Sequence, residues 1–129
     1  MTGWTSDELT RIGTAEELQI ASLRRDGTLR NPRTIWVVRV VDDLYVRSMY
    51  GRDGGWFPGT QVRHEGHIQA GGLDKDVTFA DADPDLNDQI DAAYRDKYHR
   101  YGPSIIGGVV NPGARAATIK LIPRSTTSS

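Results

Sequence analysis

The sequence predicts an α+β fold that is mainly β: six short antiparallel strands curled into a small barrel, with a short helix first and one long helix before the last strand. Three observations predict it. Arg33–Val41 and Leu44–Met49 are rich in β-branched and aromatic residues and are joined by Asp42-Asp43. Further short runs are punctuated by Asp26-Gly27 and Gly71-Gly72 turns. One long segment, starting at Pro84, repeats its apolar residues at helical spacing. Curling short antiparallel strands into a barrel hides their unpaired edges.

Taken in order, Thr5-Ser6-Asp7-Glu8 has the form of a capping box, a hydroxyl at the helix start with a carboxylate three residues on. It opens a short helix to about Ile12, and Gly13 stops it. Glu17–Arg25 reads as a strand ending at Asp26-Gly27. Arg33–Val41 is the strongest strand, and its Ile-Trp-Val-Val centre leaves little polar alternation, so both faces are covered. Asp42-Asp43 turns the chain and Leu44–Met49 returns antiparallel. Gly51–Gly59, with four glycines and Pro58, reads as an irregular loop. Arg63–Gly71 and Asp76–Ala82 follow as strands.

Asp83-Pro84 starts the long helix, an N-cap aspartate before a proline at the first helical position. Leu86, Ile90, Ala93, Lys97 and Tyr101 carry its stripe, with Tyr94 and Tyr98 alongside, and Gly102-Pro103 ends it. Ser104–Val110 forms a short apolar helix, and Ala116–Ile122 is the last strand. Residues 1–124 read as one domain, and residues 125–129 as a polar tail.

Composition narrows the function. The chain has 129 residues, 37% hydrophobic and 26% charged, which is the balance of a globular domain. A net charge of −1 argues against a general nucleic-acid or membrane binder. The absence of cysteine excludes disulfides, thiolate metal sites and cysteine nucleophiles. With no long apolar run and no signal-like start at Met1–Glu8, the expectation is a cytoplasmic, soluble protein. The charge is uneven. Arg24–Arg63 holds eight Lys/Arg against four Asp/Glu, while Asp74–Tyr101 holds four against eight. An anionic ligand on the basic side is the functional implication; ordinary surface patterning is the plain one.

Within the basic region, Arg33, Arg39 and Arg47 sit on paired strands. Guanidinium forks grip phosphate in a bidentate way, and bare amides near Gly51 and Gly54-Gly55 add donors. Arg33 and Arg39 share a face if the strand is regular, and the face of Arg47 depends on register. Trp36, Trp56 and Tyr45 are aromatics near the same hairpin that could stack on a ligand ring; Trp36 reads as core, whereas Trp56, in a glycine loop, is equally suited to either role. Lys97 amid Tyr94, Tyr98 and Tyr101 makes Tyr98 and Lys97 the candidate catalytic proton donor pair. The competing expectation is a stripe that packs on the barrel while lysine reaches outward. His64 and His67, three apart on a strand, face opposite sides, and no metal site is expected. No P-loop, dinucleotide fingerprint or Gly-x-Ser-x-Gly occurs.

Asp26–Val38 (DGTLRNPRTIWVV), Leu44–Gly51 (LYVRSMYG), Trp56-Phe57 and Ile90–Gly102 (IDAAYRDKYHRYG) resemble a small bacterial domain family of unknown function, number 2255. That resemblance covers nearly the whole chain. The element order and the closing ATIKLIPR resemble, more distantly, the split β-barrel flavin-binding group, which includes pyridoxamine phosphate oxidases and deazaflavin-dependent nitroreductases. The resemblance implies a homodimer that holds FMN or a deazaflavin of the F420 type. The matching positions are Pro32, Arg33, Thr34, Ser48, Gly51 and Trp56; Arg33, Arg47 and Ser48 are implied as phosphate contacts, and Trp56 as a border of the ring. Trp56-Phe57-Pro58-Gly59 departs from the polar helical turn found there in the wider group.

The leading expectation is therefore a flavin- or deazaflavin-binding oxidoreductase acting on a small organic substrate. A cofactor-free barrel doing acid–base chemistry on a hydrophobic metabolite through Tyr98 and Lys97 is the second. A non-catalytic dimeric binding module is the third.

Overall fold

The computed structural model describes residues 3–124, and the expected tail at 125–129 lies outside them. Helix α1 (Ser6–Gly13) is opened by the capping box: Thr5 Oγ1 accepts from Glu8 N at 3.1 Å and the Glu8 carboxylate accepts from Thr5 N at 2.9 Å. It buries Leu9 and Ile12.

Seven strands form one sheet: β1 (Leu18–Ser22), β2 (Arg33–Ile35), β3 (Val38–Val40), β4 (Asp43–Arg47), β5 (Glu65–Ala70), β6 (Leu73–Asp81) and β7 (Thr118–Pro123). Their order is β2-β1-β5-β6-β7-β4-β3, with antiparallel neighbours throughout. The two edge strands, β2 and β3, are consecutive in sequence and only Trp36-Val37 separates them. So short a link forces the two ends of the sheet toward one another, and the sheet curls into a half-barrel.

The expected count of six strands is corrected to seven, because Arg33–Val41 is not one strand. At the break, the backbone of Val37 bonds to side chains of helix α3 (Asn87–Tyr98) in place of a neighbouring strand. Lys97 Nζ donates to Val37 O at 2.6 Å, and Val37 N donates to Tyr98 Oη at 3.3 Å. Trp36 stacks on Tyr98, with centroids 4.0 Å apart and planes within 5°. The turn that follows is Val41-Asp42, since Asp43 already pairs with Val40. Val41 adopts φ 56°, a left-handed conformation that costs a β-branched residue strain.

The loop expected at Gly51–Gly59 also ends early. Helix α2 (Phe57–Arg63) begins inside it, with Pro58 in the first turn where its missing N–H costs nothing. His64 closes the helix at φ 58° and donates its N–H to Thr60 O. After a single tight turn at Pro84–Leu86 come α3, α4 (Pro103–Val110) and an unexpected α5 (Pro112–Ala116). Asn111 caps α5, its side chain accepting from Ala114 N at 2.8 Å. None of the described helices is long and apolar enough to cross a membrane.

Alternation along the strands builds two cores. Leu44 and Val46 of β4 join Leu18, Ile20, Ile68, Phe79, Ile119 and Leu121 inside the curl. Tyr45, one step out of phase, joins Val38, Ile90, Tyr94, Tyr98, Ile106 and Val109 under α3 and α4. Arg47 shares the phase of Tyr45 and so points into the helix-covered side, 2% exposed.

Candidate functional site

The basic segment is folded back on itself. Asp26-Gly27 turns it, Arg24 N donates to Thr28 O at 2.8 Å, Leu23 bridges Leu29, and Arg30 N donates to Ser22 O at 2.9 Å. This hairpin extends β1 and brings Arg24 and Arg30 to the same end of the barrel as Arg33 of β2. Helix α2 supplies the opposite wall. Between them lies a cavity of about 440 Å³ lined by Ser22, Arg24, Arg30, Asn31, Arg33, Trp56, Pro58, Gly59 and Thr60, with no carboxylate.

A second cavity of about 280 Å³ adjoins it and shares Arg33, Gly55 and Trp56 with it. Its wall is more enclosed and more apolar: Thr34, Ile35, Trp36, Met49, Tyr50 and Val109, with Glu17 as its one acid and Arg47 as a further cation. One cavity is thus a cationic cup, the other an aromatic slot, and Trp56 stands between them.

Two details suit the cup chemically to an anion. The buried Nε–H of Arg30 has no hydrogen-bond partner among the described residues, a state that burial makes costly unless a ligand completes it. Gly59 lies flush against it: a Cβ there would stand 2.6 Å from Ser22 Oγ and 2.9 Å from Arg30 Nε. Among the described residues, neither Arg30 nor Arg33 makes a side-chain hydrogen bond or ion pair, and Arg24 uses one terminal nitrogen on Thr28 and Leu29 O. A doubly charged oxyanion meets forks of this kind with charge-assisted bonds.

The arginine of β4 is employed elsewhere. Arg47 donates from Nε to Thr118 Oγ1 at 2.9 Å and from one terminal nitrogen to the Asp91 carboxylate and Val109 O. The other terminal nitrogen donates to Asn87 O and Oδ1, both at 3.2 Å. All five N–H donors of a guanidinium are then in use. Although Arg47 helps line the aromatic slot, it has none to offer a phosphate. Ser48, fully buried, accepts from Tyr50 N at 3.2 Å, and its N–H donates to Ala117 O; neither it nor Gly51 lines either cavity.

Of the expected cofactor residues, Arg33, Thr34, Arg47 and Trp56 meet at the two cavities, Arg47 with its donors already engaged. Arg39 does not join Arg33, because the break at Trp36-Val37 separates them; it bonds Val41 O at 2.8 Å beside α1. Tyr98 and Lys97 lie outside both cavities. Burial pushes the Tyr98 phenol well above its ordinary value, and its Oη sits 2.9 Å from Glu16 O. Burial likewise pushes the Lys97 amine down to about 8. Tyr45 is core. His67 bonds Asp76 and Asp74 across β5 and β6, and no group of three or more His, Cys, Asp or Glu able to hold a metal occurs among the described residues.

Missed from sequence were Arg24, Arg30, Ser22 and Gly59. The signal was present: Arg24 and Arg30 flank the Asp26-Gly27 turn almost symmetrically, which places them as neighbours once the hairpin closes.

With this geometry in hand, the family described as "Uncharacterized protein conserved in bacteria (DUF2255)" matches residues 8–121. The chain belongs to that family. No curated protein matches it. The DUF2255 chain is also similar to several solved structures. A putative pyridoxamine 5'-phosphate oxidase from Listeria innocua has a TM-score of 0.64 at 14% identity, covering 91% of this chain and 90% of that one. A FAD-binding protein from Mesorhizobium loti has a TM-score of 0.59 at 15% identity, covering 95% and 91%. An F420 reductase has a TM-score of 0.55 at 15% identity, covering 92% and 93%. At such identities the likeness establishes the fold: this DUF2255 protein has the curled antiparallel half-barrel of those proteins.

Proposed function

We propose that the chain binds a flavin-type cofactor, FMN or a deazaflavin, and serves as an oxidoreductase toward a small organic substrate. The observation that carries the proposal is a carboxylate-free cup lined by Arg24, Arg30 and Arg33, with Arg30 Nε buried and unpartnered among the described residues, beside an aromatic slot. Arg30 and Arg33, with Ser22 and Asn31 beside them, would hold the anionic tail; Trp36, Trp56 and Tyr50 would border the ring. When bound, such a cofactor supplies hydride transfer, and the chain contributes position and shielding from water. The fold it shares with FAD-binding and F420-reducing proteins supports the reading.

The proposal extends to a homodimer. Val62, Met49 and Tyr50 line the two cavities yet are 37%, 50% and 75% exposed, an apolar rim that a second copy would cover.

Titration of purified protein with FMN, and separately with a deazaflavin, read by quenching of tryptophan fluorescence, tests the proposal. Saturable quenching that weakens at least tenfold in Arg30→Ala and Arg33→Ala is expected. Absence of quenching by either compound, or affinities unchanged in both variants, overturns it.

A further inference from the structure

The chain has three lysines. Lys75 pairs with Glu8 at 2.6 Å and Lys120 with Asp43 at 3.7 Å. Lys97 has no carboxylate within ion-pair distance among the described residues. Its Nζ is held by one strong acceptor, Val37 O at 2.6 Å, and lies 5.0 Å from the centroid of the Tyr98 ring. It opens on a third cleft of about 410 Å³, separate in its lining from the cup and the slot. Gly13, Thr14, Val38 and Ala93 make the neutral walls, and Glu16, Arg39, Asp96 and Arg100 are the charged groups around it.

The acids are partly disposed of. The Glu16 carboxylate is bound by Arg100 and by the Tyr101 hydroxyl, which leaves it a poor counter-ion for Lys97. Arg39 donates its Nε–H to Val41 O, but its terminal nitrogens make no hydrogen bond among the described residues, the nearest carboxylate being Asp42 at 3.9 Å. An amine with no carboxylate within ion-pair distance therefore shares a cleft with a guanidinium whose terminal nitrogens make no hydrogen bond among the described residues, Asp96 being the acid of the lining that faces no cation within ion-pair distance. Burial favours the uncharged, nucleophilic form of the amine over the ammonium.

We infer that the Lys97 cleft is a reversible covalent site for small aldehydes that carry a carboxylate. Arg39 receives the carboxylate. The Lys97 nitrogen lone pair adds to the carbonyl carbon, giving a carbinolamine. Loss of its hydroxyl as water, with a proton that came from the amine, leaves the imine; no oxidant or reductant is consumed. The inference stands apart from the cofactor proposal, since no residue of the cup takes part.

The probe is glyoxylate with cyanoborohydride, which reduces any imine to a stable secondary amine that peptide mass spectrometry locates. Lys97 is expected to be modified at least tenfold faster than Lys75 and Lys120, which serve as internal references. Arg39→Ala is expected to slow labelling by glyoxylate several-fold while leaving labelling by the uncharged aldehyde propanal unchanged. Lys97→Arg keeps a donor for Val37 O and abolishes the adduct at this position. Equal labelling of the three lysines, or equal effects of Arg39→Ala on both aldehydes, overturns the inference.

Discussion

Removing the carboxylate of Asp91 tests whether the Arg47 cluster is a structural device or part of a ligand site. The Arg47 and Asp91 side chains are 0% and 10% exposed, and Arg115 Nε approaches the same carboxylate at 3.3 Å. Asp91→Ala leaves Arg47 its neutral acceptors, Thr118, Val109 O and Asn87, but no countercharge. Breaking a buried pair by deleting one partner costs about 3–5 kcal/mol, because the remaining charge stays desolvated. With an unfolding entropy of roughly 2.1 cal/mol/K per residue, a chain of 129 residues should lose about 11–18 °C in Tm. Differential scanning calorimetry at neutral pH reads this directly. Arg33→Ala, at an exposed position, is the control and should move Tm by no more than a degree or two. A loss under about 3 °C in Asp91→Ala, or an Arg47→Met variant that melts normally but loses cofactor affinity, would refute the structural assignment.

Gly59→Ala should fold normally yet lower affinity for the anionic tail, since its methyl group enters the space beside Ser22 Oγ and Arg30 Nε; fluorescence titration reads the change. Val41→Gly should stabilise by about 0.5–1 kcal/mol, the left-handed strain of a β-branched residue less the entropy cost of glycine. Val41 is 74% exposed and gives up little packing; urea midpoints check the sign. Tyr94→Phe removes a buried hydroxyl that has no partner among the described residues and should leave stability equal or higher by about 1 kcal/mol. At His67, burial lowers the pKa but the hydrogen bonds to Asp76 and Asp74 outweigh it, so the net shift is upward. The folded state then holds the proton more tightly than the unfolded one. The stabilisation is full below the ordinary value near 6.5 and fades as pH rises through the raised pKa. His67→Gln should therefore cost more stability at about pH 5.5 than at about pH 8, as urea unfolding at each pH will show.

Much of the architecture was legible because it rests on local chemistry. The Thr5/Glu8 capping box, the Asp26-Gly27 turn and the apolar period of α3 each declare themselves within a few residues. The split of Arg33–Val41 into β2 and β3 was not legible, since nothing in Ile-Trp-Val-Val announces that Lys97 and Tyr98, some 60 positions on, will claim the Val37 backbone. Helix α2 was hidden for the opposite reason: Pro58 and Gly59 look like breakers, yet the first turn of a helix accepts proline. The site was half legible. Arg33, Thr34 and Trp56 could be named from their motifs, while Arg30 needed the hairpin to be closed before its direction had meaning.

Taken alone, the order of residues determined that this chain is a mainly β domain with a basic first half, a terminal helix-and-strand closure and membership of its bacterial family. Only the tertiary structure decided which arginines keep their donors free. Along β4, side chains alternate between the inner core and the helix-covered face, so register buried Arg47 against Asp91. The β1 hairpin, free of any carboxylate neighbour in the cup, left Arg30 and Arg33 unmatched. A guanidinium is the same group wherever it is written; its partners are chosen by how the sheet curls.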